Sequence, residues 1–210
     1  MPSPETEIMV VKNNILFDSG ERFQGLSHNE INYENIILRN YEWMRCKLAE
    51  ENFEYKQPIS YISIINPKIK KVFLYQRSID PKKYSEKRLQ GKLSIGVGGH
   101  IEKKDFKTGG NYIRESMLRE LVEEVDGLEP CLSEKVLGYI NYDGDEVSKV
   151  HFGILYMLPT FSENIKPKDP EIKEGGLKSL EEVEDLFNSE KFIVEAWSKI
   201  ALDKIKEFLE

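Results

Sequence analysis

The chain has 210 residues, 40% of them hydrophobic, with 37 acidic against 30 Lys and Arg side chains and a formal net charge of −7. This length suits one domain, or one domain with an appendage, and supplies enough apolar residues for a real core. The acidic balance excludes a protein whose affinity rests on a nucleic-acid backbone, because that affinity comes from clustered Lys and Arg. Nucleotide substrates stay open, since a divalent cation can stand between an acidic protein and a phosphate. Two cysteines, Cys46 and Cys131, have neither disulfide-framework nor zinc spacing and read as small core residues. Acidic residues come early, and no apolar run is long enough for a signal peptide or a membrane span, so the expectation is a soluble, cytoplasmic protein.

In chain order, Met1 to Glu7 reads as a disordered lead. Ile8 to Phe17 alternates in part, which predicts a short strand or hairpin around Asn13-Asn14, and Asp18-Ser19-Gly20-Glu21 reads as a turn. From Ser27 to Glu50, Ile31, Ile36, Ile37, Tyr41, Met44 and Leu48 recur at helical spacings, with Ser27 or Asn29 as caps. Residues 1–55 form an N-terminal extension and 56–210 the main domain. Ile59 to Ile65 is a strand by β-branched content, Asn66-Pro67 turns the chain, and Lys71 to Arg77 returns it as a hairpin. Ser78 to Gly91 is polar and basic, carrying Lys82, Lys83, Lys87 and Arg88. It reads as a solvated loop, or as one from which Arg77, Lys87 or Arg88 reaches a substrate phosphate.

Lys92 to Val97 leads into Gly98-Gly99-His100, a Lys- and Gly-rich loop follows from Lys103 to Asn111, and Tyr112 to Val125 is a helix stopped by Asp126-Gly127. Val136 to Tyr142 and Val147 to Leu158 form a second hairpin about Asp143-Gly144-Asp145, with His151 on a half-exposed face. Pro159 to Lys168 is a polar loop. Ser179 caps a short helix, Leu180 to Phe187, and Ser189 to Glu210 is a long amphipathic helix. Strands and helices in this arrangement give a mixed α and β protein with a sheet between helices.

The helix ending in Arg119-Glu120-Leu121-Val122-Glu123-Glu124 carries the chemistry. Glu120, Glu123 and Glu124 fall within one turn, while Met117, Leu118, Leu121, Val122 and Val125 fill an adjoining apolar arc. Like charges at this spacing cost a few tenths of a kcal/mol each, roughly, when solvated. A hard cation such as Mg²⁺ or Mn²⁺ reverses that cost, because it prefers oxygen ligands. For a bare R-E-x-x-E-E a solvated acidic face is the better reading. The upstream Gly96, Gly98 and Gly99 add a place where the backbone approaches a ligand and a main-chain carbonyl can serve as a further oxygen.

These residues resemble the signature of the Nudix hydrolases, G-x5-E-x7-R-E-U-x-E-E-x-G-U, where U is bulky and apolar. Gly98-Gly99-His100-Ile101-Glu102 is similar to the family's G-G-x-x-E opening, and residues 119–124 match R-E-U-x-E-E at every fixed position. There are three departures. Twenty steps separate Gly99 from Arg119 where the family has fourteen, so about six residues are inserted. Counting back from Arg119, Asn111 holds the place of the first glutamate. Asp126 holds the glycine slot, with Gly127 one place late.

The resemblance implies an α/β/α sandwich with a mixed sheet, preceded here by the extension, and a metal-dependent hydrolase of a nucleoside diphosphate linked to another moiety, or of a related organic pyrophosphate. It implies Mg²⁺ or Mn²⁺ on Gly99, Glu120, Glu123 and Glu124, with Arg119 orienting a glutamate. The general base would be Glu123, Glu124, or an acid outside the motif, Glu171 or Glu174. Arg77, Arg88 and His100 are the candidate substrate contacts. The expected partner is a small nucleotide or other diphosphate, with no nucleic-acid polymer and no membrane, and a homodimer is a family expectation. The alternative is a non-catalytic Nudix-like domain that senses a nucleotide. An isopentenyl diphosphate isomerase of the same fold ranks lower, because it needs a catalytic cysteine and a metal-binding histidine set, neither cysteine lies beside the glycine loop, and there are only three histidines.

Overall fold

The computed structural model describes residues 2–18, 20, 22–28, 30–106, 110–129 and 133–209. The elements are β1 (Glu7–Lys12), α1 (Asn13–Leu16), β2 (Gly25–Ser27), α2 (Tyr33–Asn40), β3 (Glu42–Arg45), α3 (Cys46–Ala49), β4 (Tyr55–Asn66), β5 (Lys71–Arg77), β6 (Leu93–Ser94), α4 (Tyr112–Glu124), β7 (Val125–Asp126), β8 (Lys135–Asn141), β9 (His151–Pro159), β10 (Lys166–Pro167), β11 (Ile172–Ser179), α5 (Leu180–Asn188) and α6 (Ala196–Leu209). They make a mixed α/β fold with a large, mostly antiparallel sheet. Among the described residues, no helix is long and apolar enough to cross a membrane. The chain divides into two compact units, one of Met1–Tyr61, Gly98–Arg119 and Val136–Leu155, the other of Ile62–Val97, Glu120–Lys135 and Tyr156–Glu210.

In the first unit the strand order is β4-β9-β8-β2, and β1 pairs antiparallel with β3 and with the start of β4. The expected long helix from Ser27 to Glu50 is broken. Asn32, rather than Ser27, caps α2 by accepting the Asn35 amide at 2.9 Å, and Asn29 lies outside the described residues. The helix ends at Asn40 because Glu42 to Met44 alternate as a strand and pair with Ile8 to Val10 of β1. The expected hairpin at Asn13-Asn14 is instead the single turn α1. The expected disordered lead is tied down, with the Thr6 and Pro4 carbonyls accepting the Cys46 and Lys47 amides at 2.9 and 3.0 Å. Its core includes a cluster of Ile8, Val10, Cys46 and Ala49 and an edge-to-face aromatic group of Phe17, Phe23, Tyr33 and Phe152. Cys131 and parts of the Asp18–Glu21 turn lie outside the described residues.

Lys56 is fully buried in this unit, and its Nζ donates to Asp143 Oδ1 and to the Ser148 and Lys149 carbonyls at 3.1, 3.3 and 2.8 Å. Burial pulls its pKa down from 10.5 to about 8 even though Asp143 opposes that shift. The arrangement ties the 143–149 loop to β4.

In the second unit the order is β11-β5-β4-β9, and the predicted hairpin closes with Ile65 opposite Val72. Asn66 holds its turn by accepting the Lys68 and Ile69 amides. The expected polar loop from Pro159 contains β10, which pairs with β7. Gly127, at φ +84°, follows β7, and a Cβ there would lie 2.4 Å from the Asn164 carbonyl. Ser179 and Glu182 form the expected capping box on α5. The last helix starts at Ala196 rather than Ser189, and Trp197, Ala201, Ile205 and Leu209 are its buried stripe.

Two expectations test these packing arguments. Gly98 has φ +135° and approaches β4 so closely that a Cβ would sit 1.7 Å from the Ser60 carbonyl, whereas a Cβ on Gly176 meets nothing within 4 Å. Gly98→Ala should therefore lower unfolding stability by about 3 kcal/mol, and Gly176→Ala should change it by no more than about 0.5 kcal/mol; urea titration of both variants reads the difference. For Lys56, the unfolded chain binds the proton more tightly than the folded chain between pH 8 and 10.5. Stability contributed by this residue therefore rises with pH across that window. The wild type minus Lys56→Met difference in unfolding free energy should increase from pH 7.5 to 9.5; a flat difference would show that the lysine titrates normally.

Candidate functional site

The buried face of α4 is Ile113, Ser116, Met117, Glu120, Leu121 and, beyond the helix, Val125. Leu118 and Val122, placed by their spacing in the apolar arc, are exposed at 37% and 66%. The helix is thus rotated from the expected orientation, and its carboxylates do not form one solvated edge. Glu120 lies in the buried stripe, Glu124 is half-buried with Oε2 shielded from solvent, and Glu123 faces out. Taking a carboxylate out of water costs several kcal/mol unless positive charge or hydrogen bonds offset it. Lys168 brings one cation to the end of this helix, its Nζ donating to the Val122 carbonyl and its amide to the Glu124 carbonyl, both at 2.8 Å. A cation is favoured there by the helix dipole as well.

Arg119 reaches the loop that follows the glycines. Its Nε donates to Asp105 Oδ1 at 2.5 Å and its Nη2 to Asp105 Oδ2 at 3.2 Å, and Nη2 also reaches the His100 carbonyl at 2.9 Å. Glu102 Oε1 lies 3.8 Å from the same guanidinium. Asp105 is buried and closes a 3₁₀ turn over Lys103–Asp105 by accepting the Glu102 amide at 2.7 Å. Asn111 has a different task. Its Oδ1 accepts the Ile113 and Arg114 amides at 2.9 and 3.3 Å, the geometry of a helix N-cap. Counting forward from Gly99 reaches Asp105 at the signature's first acidic position; counting back from Arg119 reaches Asn111. The residue reached by the forward count is therefore the one paired with Arg119, and the residue reached by the backward count caps the helix.

The expected phosphate contacts are engaged within the chain. The Arg77 guanidinium pairs with Glu195, whose other oxygen accepts the Ser94 hydroxyl at 3.0 Å, and it lies over the rings of Tyr75 and Tyr84. Its side chain is 13% exposed. Arg88 chelates Glu86 through Nε and Nη2 at 2.8 and 2.6 Å and is 35% exposed. Glu174 is exposed on β11, 3.3 Å from Lys173.

His100 is buried, and so is His151, which corrects the half-exposed position expected for it. Alternation along β9 could not show this, because every residue from His151 to Tyr156 is buried. The two Nε2 atoms face each other at 3.1 Å. Gln57 Oε1 lies 2.8 Å from His100 Nε2, and Glu50 Oε1 lies 3.9 and 3.5 Å from His100 and His151 Nε2. Burial, then the neighbouring His151, holds the His100 pKa well below 6.5, so the ring is neutral at pH 7. Cys46 also adjoins this group, its thiol pushed up to about 11 by burial and by Glu50. A cysteine does therefore stand beside the residue that follows the glycines, although 54 positions separate Cys46 from His100 in the chain.

No protein-family profile matches the chain. Protein YmaB of Bacillus subtilis (strain 168) is 30% identical over 207 residues, covering 95% of this chain and 96% of YmaB. The crystal structure of Tm1382, described as a candidate Nudix hydrolase, superposes with a TM-score of 0.70 at 27% identity, covering 94% of this chain and 96% of that one. The Nudix domain of Shewanella oneidensis NrtR, complexed with ADP-ribose, shares the fold with a TM-score of 0.53 at 15% identity over 74% of this chain and 89% of that one. With the matching residues of α4 and the glycine loop, these similarities establish that the chain belongs to the Nudix hydrolase superfamily.

Proposed function

We propose that this Nudix hydrolase cleaves the phosphoric anhydride of a nucleoside diphosphate linked to another moiety, with ADP-ribose as the leading class of substrate. The observation that carries the reading is the carboxylate set on α4, with Glu120 buried, Glu124 half-buried and Glu123 exposed within one turn. Hard carboxylate oxygens fit Mg²⁺ or Mn²⁺. When bound, such an ion polarises a phosphoryl oxygen and lowers the pKa of a water. The protein's own work is positioning and charge compensation. Arg119 and Asp105 tie the helix to the loop that follows the glycines. Glu123, exposed to solvent, is suited to take a proton from an attacking water, and Glu174 is the alternative on β11. Arg88 is better suited than Arg77 to meet a phosphate, because its side chain is more exposed and its partner Glu86 is local.

The experiment is a product assay with ADP-ribose, sugar nucleotides, dinucleoside polyphosphates and nucleoside triphosphates, each with Mg²⁺ and with Mn²⁺. Glu120→Gln and Glu124→Gln should each reduce metal-dependent turnover by about 100-fold or more. Binding of ADP-ribose by calorimetry with no product under either metal would replace this reading with that of a nucleotide-sensing domain.

A second expectation separates the two acidic-position candidates. Asp105→Asn should lower turnover by roughly 10- to 100-fold, since it weakens the charge partner that orients Arg119. Asn111→Ala should cost about 1 kcal/mol of stability as a lost cap while leaving kcat within about twofold, a difference that kinetics and thermal unfolding on the same preparations will read.

A further inference from the structure

We infer that Glu50, His100 and His151, with Cys46, form a second metal site in the first unit, one that takes a borderline divalent ion of the Zn²⁺ class.

All four are side chains whose atoms ligate metals, and they come from three separate parts of the chain: α3 and the residue following it, the glycine loop, and β9. The ligand atoms of Cys46, Glu50 and His100 lie within 4.8 Å of one another. His151 Nε2 lies 3.1 Å from His100 Nε2 and 3.5 Å from Glu50 Oε1, so the two imidazoles and the carboxylate are the near group, and Cys46 Sγ completes it from within 4.8 Å of Glu50 and His100. In a tetrahedral Zn²⁺ site, metal–nitrogen and metal–oxygen distances near 2.0–2.1 Å place neighbouring ligand atoms about 3.3 Å apart, and a thiolate about 3.6 Å from a nitrogen. The His–His and Glu–His151 separations are already near that edge length, and the Glu50–His100 separation of 3.9 Å needs a small inward shift.

The His151 tautomer supports the same conclusion, while His100 Nε2, which donates to Gln57 Oε1 at 2.8 Å, ligates on moving its proton to Nδ1. The Val147 carbonyl can only accept, so at 2.6 Å it takes a hydrogen bond from His151 Nδ1–H. A neutral His151 ring therefore presents its Nε2 lone pair into the cluster, fixed by a backbone contact of the kind that orients metal-ligating histidines. Gln57 borders the group, its Nε2 reaching Glu50 Oε1 at 3.4 Å and its Oε1 reaching His100. Two imidazoles and one thiolate are borderline to soft donors, and with a single hard carboxylate they make a mixed set that suits Zn²⁺. The α4 set is all carboxylate oxygen, so the two groups select different ions. Binding at the new site displaces the Cys46 thiol proton to solvent.

The test uses Co²⁺ as a spectroscopic probe on the full chain after chelator treatment, with Zn²⁺ competition and metal analysis. The expected result is one equivalent showing the intense visible bands of tetrahedral Co²⁺ and a near-ultraviolet thiolate charge-transfer band, both abolished by Zn²⁺. Cys46→Ser should remove the charge-transfer band, and His151→Gln and Glu50→Gln should each weaken binding at least tenfold. Glu123→Gln and Glu124→Gln should leave these bands unchanged, which separates this site from the α4 carboxylates and from any question of turnover. Circular dichroism checks that each variant folds; should His151→Gln unfold, Cys46→Ser and Glu50→Gln decide. Octahedral, weak Co²⁺ spectra insensitive to Cys46→Ser and Glu50→Gln, or tetrahedral bands lost on changing Glu123 or Glu124, would overturn the assignment.

Discussion

The Arg119–Asp105 pair is the contact on which the site depends. A bidentate guanidinium–carboxylate bond between two largely buried groups is geometrically demanding, and breaking it leaves a buried charge uncompensated, at about 3–5 kcal/mol. Because Arg119 also holds the His100 carbonyl, one side chain joins the turn at Asp105, the residue after the glycines and helix α4. The backbone there is fixed from the other side by Gly98, whose φ of +135° and contact with Ser60 admit no side chain. Ser116 adds a third tie, its hydroxyl donating to the same His100 carbonyl at 3.2 Å. The loop is thus held by charge, by backbone fit and by hydrogen bonding at once, which is the kind of support a site needs if its geometry is to exist before a ligand does.

Buried charge recurs elsewhere with the same solution. Lys56 is surrounded by Asp143 and two carbonyls, and Arg77 by Glu195 and two aromatic faces. In each case the ionised group is retained inside because oxygen or π density is aimed at it. Such networks fix loops whose own sequences are polar and would otherwise gain nothing from order. The Lys56 arrangement determines where the 143–149 segment lies, and that segment supplies the Val147 carbonyl that orients His151. A polar network far from α4 in sequence thereby sets the tautomer of a histidine beside the glycine loop.

Much of this was legible in the residues. The R-E-L-V-E-E helix, the Asn66 hairpin, the Ser179 cap and the closing helix follow from local pattern, because their determinants lie within a few positions of one another. The N-terminal segment was misread for the opposite reason. Ile36, Tyr41 and Met44 keep a helical spacing, yet strand pairing of Glu42–Met44 with β1 overrides it, and that pairing is long-range. Orientation of α4 was also beyond periodicity, since burial of Glu120 beside Leu121 depends on what the helix meets. Asp105 could have been found by counting from the glycine instead of from the arginine. The histidine cluster had no such signal: Cys46, Glu50, His100 and His151 share no spacing, and only the fold brings them together.

The insertion after Asp105 changes less than its length suggests. A loop that lengthens between two fixed anchors costs only the logarithm of its size in closure entropy, about 0.6 kcal/mol per doubling. Here both anchors are strong: Asp105 is bonded to Arg119 on one side, and Asn111 caps the helix on the other. Additional residues between such points can vary without moving either the arginine or the carboxylates that follow it. The place where this chain departs most from its family's spacing is therefore a place where departure is mechanically permitted. Gly98, Asp105, Arg119 and Glu120 are instead fixed by backbone fit, ion pairing and burial.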